Sequence, residues 1–311
     1  MTIKKCPFLN LCGGCKYDFT DDEYRKNKLK ELPKIKFTDD AIWGKHGTRR
    51  RADFAFTDGH FGFFKKQSKD IIDIEKCPNL CDEINDILPN LKRLNWTGTG
   101  SVLITKCENG IDIAVNSDVP YFYAEFKTNV EKLPPQIIRF VWNDKIVRKY
   151  TEPEIKFNDK IIKYPTNAFL QPTCETEQIL RDLVIKYVND AKHVADLFCG
   201  LGNFTFATNA TGFDIVGNGV KRDLFKRPLT SKNLDQYDVV IMDPPRSGAE
   251  KQSKELAKSN VKRIVYVSCN PNTFVRDCNI LEHGGYKMTV TIPVDQFVGS
   301  AHWEIFSVFK K

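Results

Sequence analysis

The sequence predicts an α/β protein: a Rossmann-like, doubly wound sheet in the C-terminal half, a mostly β central region and a cysteine-bearing N-terminal segment. Three observations carry this. Short strand-like runs at His193–Phe198, Val239–Met242 and Ile264–Val267 each end in a turn containing Gly or Pro, as buried parallel strands do. A stretch ahead of them, Glu175–Asp190, places Ile179, Leu180, Leu183, Val184, Tyr187 and Val188 on one helical face. Further upstream, phenylalanines alternate with small or acidic residues at the period of a strand.

In chain order, Asp21–Glu31 is polar and helix-favouring and is broken by Pro33. Phe54 and Phe56, then Asp58-Gly59, then Phe61 and Phe63 form a hairpin signature. Arg49, Arg50, Arg51, Lys65, Lys66 and Lys69 flank it. Such a surface grips phosphates and stacks bases, or else it is a phenylalanine core with a solvated charged face. Strand-like pieces follow at Ser101–Thr105, Ile111–Val115, Ile137–Val141 and Glu154–Phe157. In the C-terminal half, Gly212-Phe-Asp-Ile ends a second strand at Asp214, where ribose hydroxyls are bound in such sheets. Tyr286–Ile292 and Trp303–Phe309 supply a late strand pair, an antiparallel edge on a parallel sheet.

The length, 311 residues, suits two domains, and 41% hydrophobic residues suffice for real cores. Nothing approaches the roughly 18 apolar residues of a membrane span. The start, MTIKKCPFLN, lacks the apolar stretch of a secretory leader. A cytosolic protein with no membrane partner is expected. The net charge of +7 is compatible with a polyanionic partner. Ten cysteines in a reducing compartment point to metal or catalysis rather than disulfides.

Cys6, Cys12 and Cys15 read C-x5-C-G-G-C, and Cys77 is a fourth candidate. Gly13 and Gly14 let the backbone wrap closely around an inorganic core. Four cysteines suit a [4Fe–4S] cluster or a zinc tetrahedron, and Cys81 with Cys77 keeps zinc open. Cys269 follows a buried strand and precedes a helix opened by Pro271. A thiol there is presented at the ligand end of the sheet, and the helix N-terminus is expected to favour its thiolate. Glu304, beside Trp303, is expected to be desolvated, with raised proton affinity suited to general base work.

Together the pieces CPFLNLCGGC, EKCPNL, NAFLQP, DLFCGLGNF, DPPRSGA, YVSCNPNTFVRD and HWE resemble the S-adenosylmethionine-dependent RNA 5-methyluridine methyltransferases, in family order over nearly the whole chain. The resemblance implies a class I methyltransferase domain over 166–311, a mostly β RNA-binding region over 35–165 and an iron–sulfur segment over 1–34 with the Cys77 region. It implies Cys269 as nucleophile and Glu304 as base, and S-adenosylmethionine contacts from Gln171, Phe198, Asn203, Asp214 and Asp243. It also implies a [4Fe–4S] cluster on Cys6, Cys12, Cys15 and Cys77. The partner would be RNA, ribosomal (23S) rather than transfer RNA, and the protein a monomer.

Two departures from the family pattern stand out. The chain begins almost at the cysteine cluster, so the small N-terminal RNA-binding barrel of some relatives is expected to be absent. Asp223 follows Asp214 by only nine positions, too few for a helix plus a strand. A direct turn at Gly217-Asn218-Gly219 is therefore expected, with one sheet face partly uncovered, the ribose contact of Asp214 disturbed and Asp223 beside the adenine. A degenerate RNA-binding relative is the competing class, though it has no need of the thiol and carboxylate. An adenine amino-methylase would carry an aromatic residue where Arg246 stands.

Overall fold

The computed structural model describes residues 6–20, 22–120 and 124–311. Met1–Lys5, the first part of MTIKKCPFLN, lie outside the described residues, as does Asp21 of the expected helical stretch. The chain divides into two units. One holds the chain up to Lys28, Lys45–Cys174 and Val298–Ala301; the other holds Leu29–Gly44, Glu175–Phe297 and His302–Lys311.

The first unit opens with helix α1 (Tyr24–Leu29). Its strands are β1 (Arg51–Thr57), β2 (His60–Phe64), β3 (Ile71–Asp73), β4 (Thr99–Lys106), β5 (Ile111–Ser117), β6 (Ile137–Trp142) and β7 (Lys145–Lys149), and its further helices α2 (Asp82–Lys92) and α3 (Ala124–Glu131). The seven strands form one sheet in the order β3-β2-β1-β4-β5-β6-β7. A separate hairpin pairs β8 (Glu154–Phe157) with β9 (Lys160–Lys163). The Asp58-Gly59 turn pairs Phe56 with Phe61, as the alternation predicts. Phe54, Phe56 and Phe61 are buried with Trp96, Trp142 and the apolar face of α2. These rings are core, so they are unavailable as base-stacking groups; of this hairpin Phe64 is exposed.

The second unit contains α4 (Cys174–Val188), β10 (Val194–Leu197), α5 (Asn203–Thr208), β11 (Thr211–Asp214), β12 (Val220–Lys221), α6 (Ser231–Leu234), β13 (Val239–Met242), α7 (Glu250–Ala257), β14 (Arg263–Ser268), α8 (Pro271–His283), β15 (Lys287–Val294) and β16 (Glu304–Lys310). The sheet order is β12-β11-β10-β13-β14-β16-β15. It is parallel through β14 and antiparallel at the β16 and β15 edge. Both faces of the central strands are covered. Val239 and Ile241 pack toward α4 through Leu180, Val184 and Val188, while Val240 and Met242 pack with Leu234, Leu256, Phe274 and Leu281 of α6, α7 and α8.

The segment ahead of Lys45 joins this unit. Ile35 and Phe37 pack on one face of the sheet and Ile42 on the other. Thr38 and Ile42 donate backbone N–H bonds to Thr291 and Pro293 along β15.

β11 and β12 pair in parallel with no helix between them, and the chain turns through Gly217–Gly219 as the spacing predicts. Ile215, Val216 and Val220 are left exposed.

Candidate active site

The strand register of the second unit brings the chemistry to one edge. Leu197 lies opposite Met242, and Met242 opposite Tyr266, so β10 and β13 end level and β14 runs on past them to Ser268. Phe198, Asp243 and Cys269 follow those ends. β16 runs the other way and pairs Ile305 with Ser268, so one further step sets Glu304 beside Cys269. Asp214 ends β11, next to β10. The chain leaves β10 in one direction and returns to β13 on its other side, the switch point at which open α/β sheets bind ligands.

The turn that bears Cys269 is tied to its neighbour. The Asn270 side chain caps α8 by accepting from Asn272 N at 3.1 Å, and its Nδ2 donates to the Arg246 carbonyl at 2.8 Å. Buried Asp277 accepts from Ala249 N at 2.7 Å and from the Tyr266 hydroxyl at 2.6 Å. The loop after Asp243 and the turn at Cys269 are thereby held as one piece.

Burial dominates the electrostatics. The Cys269 thiol is pushed up to about 12, first by burial and then by the charges of Glu304 and Asp243, with Arg246 opposing. The expected lowering by the helix N-terminus is overturned: desolvation and two carboxylates outweigh it. Asp243 is raised to about 7 by burial and by Asp196. Glu304 is raised well above the usual carboxylate range by burial and by Asp243, as its apolar neighbours predict. Its Oε2 accepts from Gln296 Nε2 at 2.9 Å.

The glycine turn after β10 has the features of a small-molecule cradle. Asp196 is buried; its Oδ2 accepts from Thr205 at 2.6 Å, while Oδ1 has no hydrogen-bond partner. Asn203 Oδ1 accepts from Arg181 Nε at 2.8 Å, while the buried Nδ2 has none. Gly200, at φ +52°, has open space where a Cβ would stand. An orphaned acceptor, an orphaned donor and free space fit a ligand carrying both ammonium and carboxylate groups.

Asp214 behaves differently. Its Oδ2 accepts from Gly200 N at 2.9 Å and its Oδ1 from Val216 N at 3.1 Å, so the carboxylate braces two loops. Gly217, at φ +78°, packs so closely that an added Cβ would meet the Gly200 carbonyl oxygen at 1.8 Å. Asp223 accepts from the N–H groups of Phe225 and Lys226, both at 3.1 Å. Phe225 stands tilted against Phe198, ring centres 5.3 Å apart.

An uncharacterized RNA methyltransferase of Brucella melitensis is 34% identical over 98% of this chain and 84% of its own length. The chain belongs to the RNA uracil-5-methyltransferase family. Residues 216–311 match the family described as tRNA (Uracil-5-)-methyltransferase. A 23S rRNA (uracil(1939)-C(5))-methyltransferase of Vibrio vulnificus is 28% identical over 98% of the chain and 82% of its own length. The fold is that of the Pyrococcus abyssi tRNA (uracil-54, C5)-methyltransferase, solved with S-adenosyl-L-homocysteine: TM-score 0.70 and 20% identity, covering 92% of this chain and 82% of that one. The Brucella alignment spans 349 positions against a chain of 311 residues, so that family member carries internal segments missing here.

The family resemblance also named residues in the first unit. Gln171 is buried there, and its carbonyl accepts from Arg50 Nε at 3.1 Å. The thiols of Cys6, Cys12, Cys15 and Cys77 feel one another. Cys15 is raised to about 12 by burial and by the charges of Cys77, Cys12 and Cys6, with Arg49 opposing. Gly14 N donates to Cys12 Sγ at 3.4 Å. Among the described residues, however, no group of three or more His, Cys, Asp or Glu side chains is arranged to hold a metal ion. Cys81 is buried in the core, at the start of α2.

Sequence reading missed two residues of the site. Asp196 lies within DLFCGLGNF, and its role emerges only from the unpaired oxygen beside the glycine turn. Gln296 carries no motif signal; only the fold places it on Glu304.

Two tests follow from the electrostatics. At pH 8, Cys269 should be alkylated by iodoacetamide at least about tenfold more slowly than free N-acetylcysteine, and Glu304→Gln should narrow the gap. Peptide-resolved mass spectrometry reads both rates; equal rates in the wild type would refute the burial account. Asp196 is raised from 3.8 to about 7. The folded state therefore holds its proton over a range where the unfolded chain has lost it. The resulting stability is full below about pH 4 and drains away as pH rises toward about 7. The melting temperature of the ligand-free protein should fall across that window, and Asp196→Asn should flatten the fall. An unchanged slope in that variant would show that Asp196 titrates normally.

Proposed function

We propose that this protein transfers a methyl group from S-adenosylmethionine to carbon 5 of a uridine in RNA, with 23S ribosomal RNA as the substrate class. The observation that carries the proposal is the strand register that sets Cys269 beside Glu304 at the switch point of the sheet. The 23S rRNA enzyme of Vibrio vulnificus, similar over 98% of the chain, supports the choice of RNA.

Carbon 5 of uracil is a poor nucleophile on its own. Cys269, reacting as its thiolate, forms a bond from Sγ to carbon 6, and the π electrons of the ring pass into an enolate that is nucleophilic at carbon 5. Arg246 favours that thiolate against the two carboxylates. S-adenosylmethionine, when bound, supplies the electrophilic methyl group. Asp196 and Asn203 offer the unpaired acceptor and donor for its amino acid portion, and Phe198 and Asp243 border the same edge. Glu304 then takes the proton from carbon 5. Its electron pair restores the double bond, and Cys269 leaves as thiolate. The thiol must reach carbon 6 from the ring face, so the uridine is unstacked when it binds. The phosphate grip falls to the basic side chains of the β region, Arg51 and Lys65 among them.

Asp214 is proposed as a brace for the glycine turn, with any ribose contact secondary, because both its oxygens already hold backbone N–H groups. The four N-terminal cysteines are proposed as [4Fe–4S] ligands on the chemistry of the donor set: clustered thiols, adjacent glycines and an N–H bond to sulfur. Anaerobically purified protein should then contain about four irons per chain and show a broad absorbance near 400 nm. Cys12→Ser and Cys15→Ser should lose both, whereas stoichiometric zinc with no absorbance would replace the cluster reading by a zinc site.

A transfer-RNA substrate is the second reading, favoured by the match of residues 216–311 to the tRNA methyltransferase family. Mass spectrometry of nucleosides from ribosomal and transfer RNA pools, with and without the gene, decides between them. Loss of 5-methyluridine from 23S RNA is expected. Loss from transfer RNA would move the substrate. No loss from either pool would favour a non-catalytic RNA-binding relative, with the Gly217 turn against Gly200 as its structural cause.

A further inference from the structure

Glu304 is set deep for a group that must act as a base. It is buried between Trp303 and Ile305, and its Cα neighbour across the ladder is Val294. The titratable groups acting on it or beside it offer no help. Asp243 on the β13 side raises its proton affinity, the Cys269 thiol stands on the β14 side, and Arg246 acts on Cys269. These groups favour the protonated form, whereas a base must be ionised to take the proton from carbon 5. One neutral side chain works the other way. Gln296, in the turn just after β15, donates from Nε2 to Glu304 Oε2 at 2.9 Å. A donor to a carboxylate stabilises the ionised form.

An amide can present either end, so this bond needs something to fix its direction. Thr176, in the first turn of α4, donates from its hydroxyl to Gln296 Oε1 at 3.2 Å. In this arrangement the amide oxygen faces Thr176 and the amide nitrogen faces Glu304. The Gln296 backbone is anchored as well, its N–H donating to Val294 O at 2.9 Å. Thr176, Gln296 and Glu304 are all buried, at 1%, 2% and 2% exposure, so water does not compete for these bonds.

We propose that Gln296 is the positioning residue that favours the ionised form of Glu304 and aims it for removal of the carbon 5 proton, and that Thr176 orients its amide. The proposal rests on the reading of Glu304 as the base. It acts on one step only. Addition of Cys269 to carbon 6 and methyl transfer precede proton removal, so they proceed without Gln296. The last step, in which the C5–H pair re-forms the double bond and expels Sγ, slows. The enzyme then accumulates as a covalent adduct with methylated RNA.

The test uses the full-length protein with total RNA from cells lacking the gene. Adduct is resolved on denaturing gels, and product is read as 5-methyluridine. Gln296→Met keeps the length and removes the donor. It should lower kcat at least about tenfold, leave both KM values within about twofold and raise the fraction of enzyme trapped as adduct. The acid limb of its kcat profile should move to higher pH, because Glu304 has lost a bond that favours its ionised form. Thr176→Val should show the same signs more weakly, and Thr176→Ser should restore wild-type behaviour. RNA from cells fed 5-fluorouracil is the control: with no proton at carbon 5, adduct should form equally in the wild type and every variant. Wild-type adduct turnover and an unmoved acid limb in Gln296→Met would overturn the proposal, as would Thr176→Ser behaving like Thr176→Val. The underlying reading fails separately: if Glu304→Gln releases methylated RNA at the wild-type rate, Glu304 is not the base, whatever Gln296 does. Should Gln296→Met fail to fold, the Thr176 pair still decides the matter.

Discussion

Desolvation of acidic groups at the carboxyl edge of the parallel sheet governs the second unit. Asp196, Asp243 and Glu304 are each carried there by a strand end, and each is raised in pKa by burial before any other cause. A thiol among them is raised as well. A fold optimised for stability would not collect three carboxylates where their charges are penalised. The arrangement raises the proton affinity of all three and leaves one acceptor, Asp196 Oδ1, unpaired; strongly perturbed acids gathered at one edge mark a candidate site. Stability is given up locally for the sake of the site, and the apolar packing on both faces of the sheet offsets it.

The rest of the unit can be understood as support for that edge. Strand register fixes which residues meet, and short side-chain bonds fix how they point. Asp277 and Asn270 join the loop after β13 to the turn after β14, so the residue pairs across this gap are set by bonds outside it. Asp214 does the same for the glycine turn. The absence of a helix between β11 and β12 goes with Gly217 pressed onto the Gly200 carbonyl, an approach that glycine alone permits at position 217.

Much of this was legible from residues alone. The hairpin around Asp58-Gly59, the late strand pair, the short turn at Gly217 and the edge position of Cys269 follow from periodicity, turn chemistry and spacing. Helix α2 was not legible: Pro89 interrupts its pattern, and only packing of Ile84, Ile87, Leu88 and Leu91 into the core reveals why it forms. The phenylalanines of the hairpin had two readings that sequence could not separate, because alternation states which side chains share a face and not what covers it. The Cys269 thiol went the other way from expectation, because local sequence announces a helix N-terminus but not two carboxylates arriving from β13 and β16. Gln296 and Thr176 lie 120 positions apart, and their meeting is a property of the sheet.

The segment Leu29–Gly44 has a meaning beyond domain bookkeeping. β15 is the last strand of its sheet, and its outer side carries unsatisfied backbone groups, a ready template for another chain. Thr38 and Ile42 occupy that side by backbone bonds to Thr291 and Pro293, and Asp295 returns one to Ile42. The sheet is thus sealed by chain made some 250 residues earlier. During synthesis the cap exists long before the strand it will cover, so the aggregation-prone edge meets its own partner as soon as it emerges. A fragment cut to begin at the apparent start of the C-terminal half would lack this cap and leave that edge open.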